Sequence, residues 1–156
     1  MSKIRVGIVG ASGYAGEELL RLLLQHPSVE LTCITSRQYA GQPLGKAFPR
    51  YRECPLHFIA PDVASFAPLI DVAFLALPHG LAAEFAVPLL AHGVKVIDIS
   101  ADFRLRDTAV YAKYYKSEHP APELLSKAVY GLPERYGSAL HGAELVACPG
   151  CYPTSI

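Results

Sequence analysis

At 156 residues, 51% of them hydrophobic, the chain is long enough to bury one sizeable core and too short for two full domains. Fourteen basic residues balance fourteen acidic ones, so no net field draws in nucleic acid or an anionic membrane, and any anion must be held locally. The apolar run after Arg5 is broken by glycine before it reaches the length of a signal or membrane segment, and four cysteines are too sparse for a disulfide scaffold; a cytoplasmic protein with free thiols is expected.

In chain order, Ile4 to Val9 (IRVGIV) predicts a strand that stops at Gly10, and Glu17 to Gln25, rich in leucine, predicts a helix. Val29 to Thr35 (VELTCIT) alternates as a second strand, so the first 35 residues form a βαβ unit with parallel strands. Residues 36 to 52, rich in Gly, Pro, Tyr and Arg, predict an irregular connection, and His57 to Ile59 a short third strand. Asp71 to Leu77 (DVAFLAL) is an unbroken apolar run of the kind buried on both faces of a parallel sheet. Leu81 to Ala91 has helical spacing, Gly93 ends that helix, and Val94 to Ile99 is another buried strand. Beyond Ala101, Thr108 to Lys116 predicts a tyrosine-rich helix, Glu123 to Ser126 the start of a short one, and Leu145 to Cys148 a last strand. The pattern is that of an α/β protein with a Rossmann-type, doubly wound parallel sheet and a glycine-rich dinucleotide-binding loop.

Gly10-Ala11-Ser12-Gly13-Tyr14-Ala15-Gly16 spells GxxGxxG between strand and helix, where small residues let backbone N–H groups approach a pyrophosphate at a helix N-terminus. A tight turn with no ligand is the bland alternative. NAD-binding versions place an acidic residue at the end of the second strand; here that place holds Thr35-Ser36-Arg37. A hydroxyl at Ser36 and a guanidinium at Arg37 suit a 2′-phosphate, which favours NADP(H), unless Arg37 is simply a solvated loop charge.

Cys148 and Cys151 form a CxxC. A thioredoxin-type pair belongs near the first strand of its domain, and a zinc site needs further ligands at recognisable spacing, which Cys33 and Cys54 do not supply; no metal site is expected. In the third reading Cys151 is a nucleophile at a helix start, with Pro153 at the first helical position and free N–H groups nearby for an oxyanion. Cys148 and Cys33 read as small buried hydrophobes.

With these pieces in place, the chain resembles the N-acetyl-γ-glutamyl-phosphate reductases of arginine biosynthesis. The matching stretches are VGIVGASGYAGEEL, TSR at 35 to 37, ALPHG at 76 to 80, DISADFRL at 98 to 105, YGLPE at 130 to 134 and PGCYPT at 149 to 154. The resemblance implies that Cys151 attacks an acyl phosphate, that phosphate leaves to give a thioester, and that hydride from NADPH releases the semialdehyde. It also implies that Ser100 and Arg104 lie near the substrate, against the alternative that Asp102 and Arg104 form a structural ion pair. His79 is expected at the carboxyl end of a central strand, or as a cap of the next helix.

Family chains are roughly twice this long, with a second α+β domain carrying a histidine acid/base and most dimer contacts. Residues 1–148 are therefore expected to be the NADP-binding domain and 149–156 the start of the catalytic and dimerisation domain, the rest being absent. None of His26, His57, His79, His92, His119 or His141 matches the family's histidine, so a piece of a longer enzyme, homo-oligomeric at full length, is expected. Two other readings stand beside it: a carrier-linked aminoadipyl-phosphate reductase of lysine biosynthesis, and a non-catalytic NADP-binding sensor.

Overall fold

The computed structural model describes residues 2–156 and divides them into two compact units, one up to Ala76 and one from Leu77 onward. The first unit begins with strand β1 (Ile4–Val9), whose Val6, Ile8 and Val9 are buried. Helix α1 (Tyr14–Leu23) follows, then β2 (Val29–Thr35), the one-turn helix α2 (Leu44–Ala47), β3 (Phe58–Ile59), the short α3 (Val63–Phe66) and β4 (Val72–Leu75). All four strands run parallel in the order β3-β2-β1-β4, with Val9 beside Thr35 on one side and Leu75 on the other. Leu20 and Leu23 of α1 pack on Val6, Ile8, Leu31, Ile34 and Phe58, so the leucine spacing read from sequence faces the sheet.

Helix α1 starts at Tyr14, three residues earlier than the leucine pattern indicates, because Gly13 supplies the extended N-cap conformation and the first turn needs no apolar partner. The connection predicted to be irregular holds α2 and a 3₁₀ turn at Pro49–Tyr51, too short for any periodicity to reveal. At the start of the sheet Arg5 grips Asp71 through two of its three guanidinium nitrogens (2.6 and 3.2 Å) and its own backbone N–H (2.9 Å), joining the entries to β1 and β4.

The second unit contains α4 (Ala82–Ala91), β5 (Lys95–Asp98), α5 (Thr108–Tyr115), α6 (Pro122–Leu125), β6 (Val129–Tyr130), α7 (Pro133–Leu140), β7 (Leu145–Ala147) and α8 (Cys151–Thr154). Its three strands are parallel in the order β5-β7-β6, with Asp98 beside Ala147 and Tyr130 on the far side of it. Gly93, at φ +74°, ends α4 as its left-handed residue, and the Val94 N–H reaches back to Leu89 O. β6 and α7 were not foreshadowed by the sequence pattern. Among the described residues no helix is long and apolar enough to cross a membrane.

Candidate functional site

The glycine loop occupies the turn from β1 into α1. Gly10 takes φ +84°, which a residue with a Cβ adopts only with strain, and its N–H meets Thr35 Oγ1 at 3.3 Å. Ala11, wholly buried, donates to Thr35 O at 3.0 Å, so the loop is tied to the end of β2. A Cβ on Gly16 would lie 2.6 Å from Cα, C and O of Ala11; only glycine allows α1 to approach the loop this closely. Gly13, Tyr14 and Ala15 face solvent, and no side chain caps α1. The N–H groups of its first turn are therefore left for an outside acceptor. Glu17 in that turn is paired with Arg50 at 3.0 Å, which offsets the one acidic charge that would repel an anion there.

Ser36 is buried, 4% exposed, and its hydroxyl lies 2.8 Å from Ser12 Oγ while accepting from the Tyr39 N–H at 3.2 Å. It thus couples the glycine loop to the segment after β2, and Arg37, the next residue, is exposed beside it. The loop fits a dinucleotide: close backbone approach, an uncapped helix N-terminus, a serine pair, and an arginine where NAD-type sites place a carboxylate.

In the second unit, the polar residues of DISADFR organise the chain leaving β5. The Asp98 carboxylate, with no exposed surface, accepts from Ser100 N and Ser100 Oγ, both at 2.9 Å, and Ser100 Oγ accepts from Asp102 N at 3.1 Å. Burial pushes the Asp98 carboxyl up to about 6, against the opposing pull of the Ser100 bonds. The hydroxyl of Ser100 is thus turned inward and engaged on both its donor and acceptor sides.

Asp102 is also buried. It accepts from Gly80 N (2.8 and 3.1 Å) and Ala82 N (2.9 Å), capping α4 from 20 residues away, and it holds His79 Nδ1. His79 therefore does not cap α4; its ring stacks on Tyr115 at 4.3 Å. Arg104 does not pair with Asp102. Its Nε donates to Cys148 O at 2.7 Å and its Nη2 to Ile99 O at 3.0 Å. One guanidinium thus joins the chain leaving β5 to the chain leaving β7, a use of planar fork geometry that a lysine would not reproduce.

That clamp sets the turn in which the CxxC lies. Cys148 N donates to Asp98 O at 2.8 Å, Arg104 takes Cys148 O, and Gly150 is so close to Arg104 that a Cβ there would lie 3.2 Å from Nη1. Cys151 opens α8 as its first residue, with Gly150 as N-cap; Pro153, expected at that first position, is third. The Thr154 hydroxyl donates back to Gly150 O and Cys151 O at 3.1 and 3.0 Å. Cys151 is exposed, whereas burial raises the thiols of Cys148 and of Cys33, the latter to about 12. Of the four cysteines only Cys151 is both exposed and held on a braced turn. Asp98, Asp102 and the Arg104 carbonyl contacts were missed as site elements, although short polar residues at 98, 100 and 102, every second position after a strand, were a legible sign of a hydrogen-bonded turn.

A parallel α/β sheet with a glycine loop of this geometry defines a dinucleotide-binding protein of the Rossmann class. Comparison narrows the class: residues 5–143 match the semialdehyde dehydrogenase, NAD binding domain, and the chain belongs to that family. It is 55% identical to an N-acetyl-gamma-glutamyl-phosphate reductase of Akkermansia muciniphila over 100% of this chain and 46% of that protein. It is 54% identical to the protein of the same name from Acidithiobacillus ferrooxidans, over 98% and 44%. The chain thus spans a little under half the length of these relatives, and the resemblance read from GASGYAG, SADFR and PGCYPT is borne out. Among solved structures, aspartate semialdehyde dehydrogenase with NADP from Candida albicans is similar with TM-score 0.69 and 17% identity, over 99% of this chain and 44% of that one. Aspartate semialdehyde dehydrogenase II from Vibrio cholerae gives 0.67 and 21%, over 97% and 43%. These likenesses establish the Rossmann-type doubly wound fold.

Proposed function

We propose that this chain is the cofactor-binding and nucleophile-bearing part of an NADPH-dependent N-acetyl-γ-glutamyl-phosphate reductase of arginine biosynthesis. The observation that carries the reading is Cys151: an exposed thiol on a turn braced by Arg104, in a chain 55% identical to a reductase of that name. The Cys151 thiolate attacks the γ-acyl carbon; the carbon–oxygen bond to phosphate breaks, phosphate leaves, and a thioester remains on the sulfur. Backbone N–H groups at the start of α8 face the developing oxyanion. NADPH, when bound, supplies the hydride that reduces the thioester, after which the carbon–sulfur bond breaks to release the semialdehyde and regenerate the thiolate.

Gly10, Gly13 and Gly16 keep the loop open to the pyrophosphate, Ser12 and Ser36 hold its shape, and the N–H groups of Tyr14, Ala15 and Gly16 point to the phosphates. Arg37 favours NADP over NAD by meeting a 2′-phosphate, while Ser36, buried and bonded to Ser12 and the Tyr39 N–H, holds the segment that presents it rather than touching the phosphate. Arg104 stands beside the turn as the partner of an anionic group of the substrate. Ser100 supports that turn from inside.

The test uses the protein at its natural length. Cys151→Ala is expected to abolish reduction of N-acetyl-γ-glutamyl phosphate while leaving the NADPH Kd within about twofold. Retention of more than about a tenth of wild-type turnover would overturn the thioester route. Turnover preferring a carrier-linked aminoadipyl phosphate would move the enzyme to lysine biosynthesis.

A further inference from the structure

One cavity of the second unit has the makings of a ligand subsite and shares Arg104 with the brace of the turn that carries Cys151. It encloses ≈ 360 Å³ and is lined by Arg104, Arg106, Val129, Tyr130, Tyr136 and Ala139, within the size range of small-molecule pockets. Two arginines and two tyrosines are among its lining residues, and no acidic residue is.

The two arginines differ in what is left to them. Arg104 uses Nε and Nη2 on the Cys148 and Ile99 carbonyls, which leaves Nη1, the nitrogen beside Gly150. Arg106 is exposed and has no hydrogen-bond or ion-pair partner among the described residues. Its acidic neighbour Asp107 is engaged elsewhere, capping α5 by accepting from Ala109 N at 2.7 Å and Val110 N at 3.0 Å. The aromatic wall is braced: Tyr136 meets Tyr130 edge-on at 6.0 Å and carries the Arg135 guanidinium over its ring at 5.6 Å. An unpaired arginine sharing a cavity with two braced tyrosines, with no acid in the lining, is a residue set that binds a planar oxyanion through a charge-assisted fork.

We infer that this cavity takes the carboxylate of a small acidic ligand, with Arg106 as the recognising charge and Tyr130 and Tyr136 as its wall. The inference deepens the function proposed above and rests on it for the ligand. In that substrate one anionic group adjoins the reacting carbon, and Arg104 Nη1 is the donor next to the cysteine turn. Arg106, two residues further along, meets the second anionic group, the α-carboxylate. Arg106 thus discriminates among acyl phosphates by the acid they carry, without taking part in bond making.

The experiment measures binding rather than turnover, on the Cys151→Ala background of the protein at its natural length, by calorimetric titration with N-acetylglutamate and, separately, with inorganic phosphate. Arg106→Ala is expected to weaken N-acetylglutamate about tenfold or more, Arg106→Lys to restore part of the loss, and phosphate binding to stay within about twofold. Because Arg106 is exposed, the variant is expected to melt with its parent, and a thermal scan checks this. No binding of N-acetylglutamate to the parent, an unchanged Kd in Arg106→Ala, or weakening of phosphate alone would each overturn the inference. Failure here with turnover intact leaves the proposed function standing, and persistence of Cys151→Ala turnover leaves this subsite untouched.

Discussion

Adding one methyl group at Gly16, and another at Gly13, separates what the glycine loop does for the fold from what it does for a ligand. In Gly16→Ala the new Cβ lies 2.6 Å from three backbone atoms of Ala11, a residue with no exposed surface, so no side-chain rotation relieves the contact. Carbon atoms pack at about 3.5–4.0 Å, so α1 must withdraw by about 1 Å from the loop. Overpacking of this kind costs about 1–3 kcal/mol, and backbone partners place it at the upper end. The better helix propensity of alanine offsets about 1 kcal/mol. The net loss of about 2 kcal/mol corresponds to a Tm lower by about 4–8 °C for a chain of this size.

In Gly13→Ala the new Cβ meets only Gly10 O, at 3.8 Å, an ordinary contact, so the melting temperature is expected to hold. That methyl stands on the exposed face where a pyrophosphate has to approach, and NADPH affinity is expected to fall about tenfold or more. Gly137→Ala, with nothing within 4 Å of the added carbon, serves as the control for substitution itself. Circular-dichroism melts without cofactor and nicotinamide fluorescence titrations give both readouts. A Gly16→Ala variant that melts like its parent, or a Gly13→Ala variant that melts lower yet binds NADPH unchanged, would refute the reasoning.

The buried Asp98 carboxyl, raised to about 6 from 3.8, favours the protonated native state. Its contribution is fully present below pH 3.8 and is lost as pH rises through about 6, a swing of about 3 kcal/mol. Urea unfolding from pH 4 to 7 is expected to show this decline in the parent and a flatter profile in Asp98→Asn; parallel profiles would contradict it. Asp102→Ala strands the N–H groups of Gly80 and Ala82 and is expected to cost about 3 kcal/mol in the same assay; a loss under about 1 kcal/mol would mean that water replaces the cap. Brief iodoacetamide treatment followed by peptide mass mapping is expected to label exposed Cys151 first and Cys33 last. At pH 8 only about one Cys33 thiol in ten thousand is ionised, so equal labelling would count against the assignment.

Legibility followed the length and regularity of each element. β1, α1, β2, α4 and β5 were read from sequence within a few residues, because four or more consecutive positions repeat a burial pattern. β6 has two residues, too few to show alternation, and α7 contains Gly137 and a break at Tyr136, where φ −118° and ψ 18° leave the helix. The glycine loop was legible because its constraint is local: the crowding at Gly16 comes from Ala11, five residues away in the same turn. PGCYPT and the strand-to-helix turn single out Cys151 in the sequence, and the structure leaves its thiol exposed at the first position of α8.

From its residues alone the chain determined where strands give way to helices, where glycine had to stand, and which family it resembles, since these depend on neighbours within about one turn or one repeat. Only the tertiary structure decided how the charged residues of DISADFR are used. Asp102 meets backbone 20 and 22 residues away and Arg104 meets a carbonyl 44 residues away. Two opposite charges two residues apart look like partners in a sequence. In the fold each is drawn instead to unsatisfied backbone groups at strand and helix ends, where a buried ion is stabilised by several hydrogen bonds at once and the turn bearing Cys151 is held as a consequence.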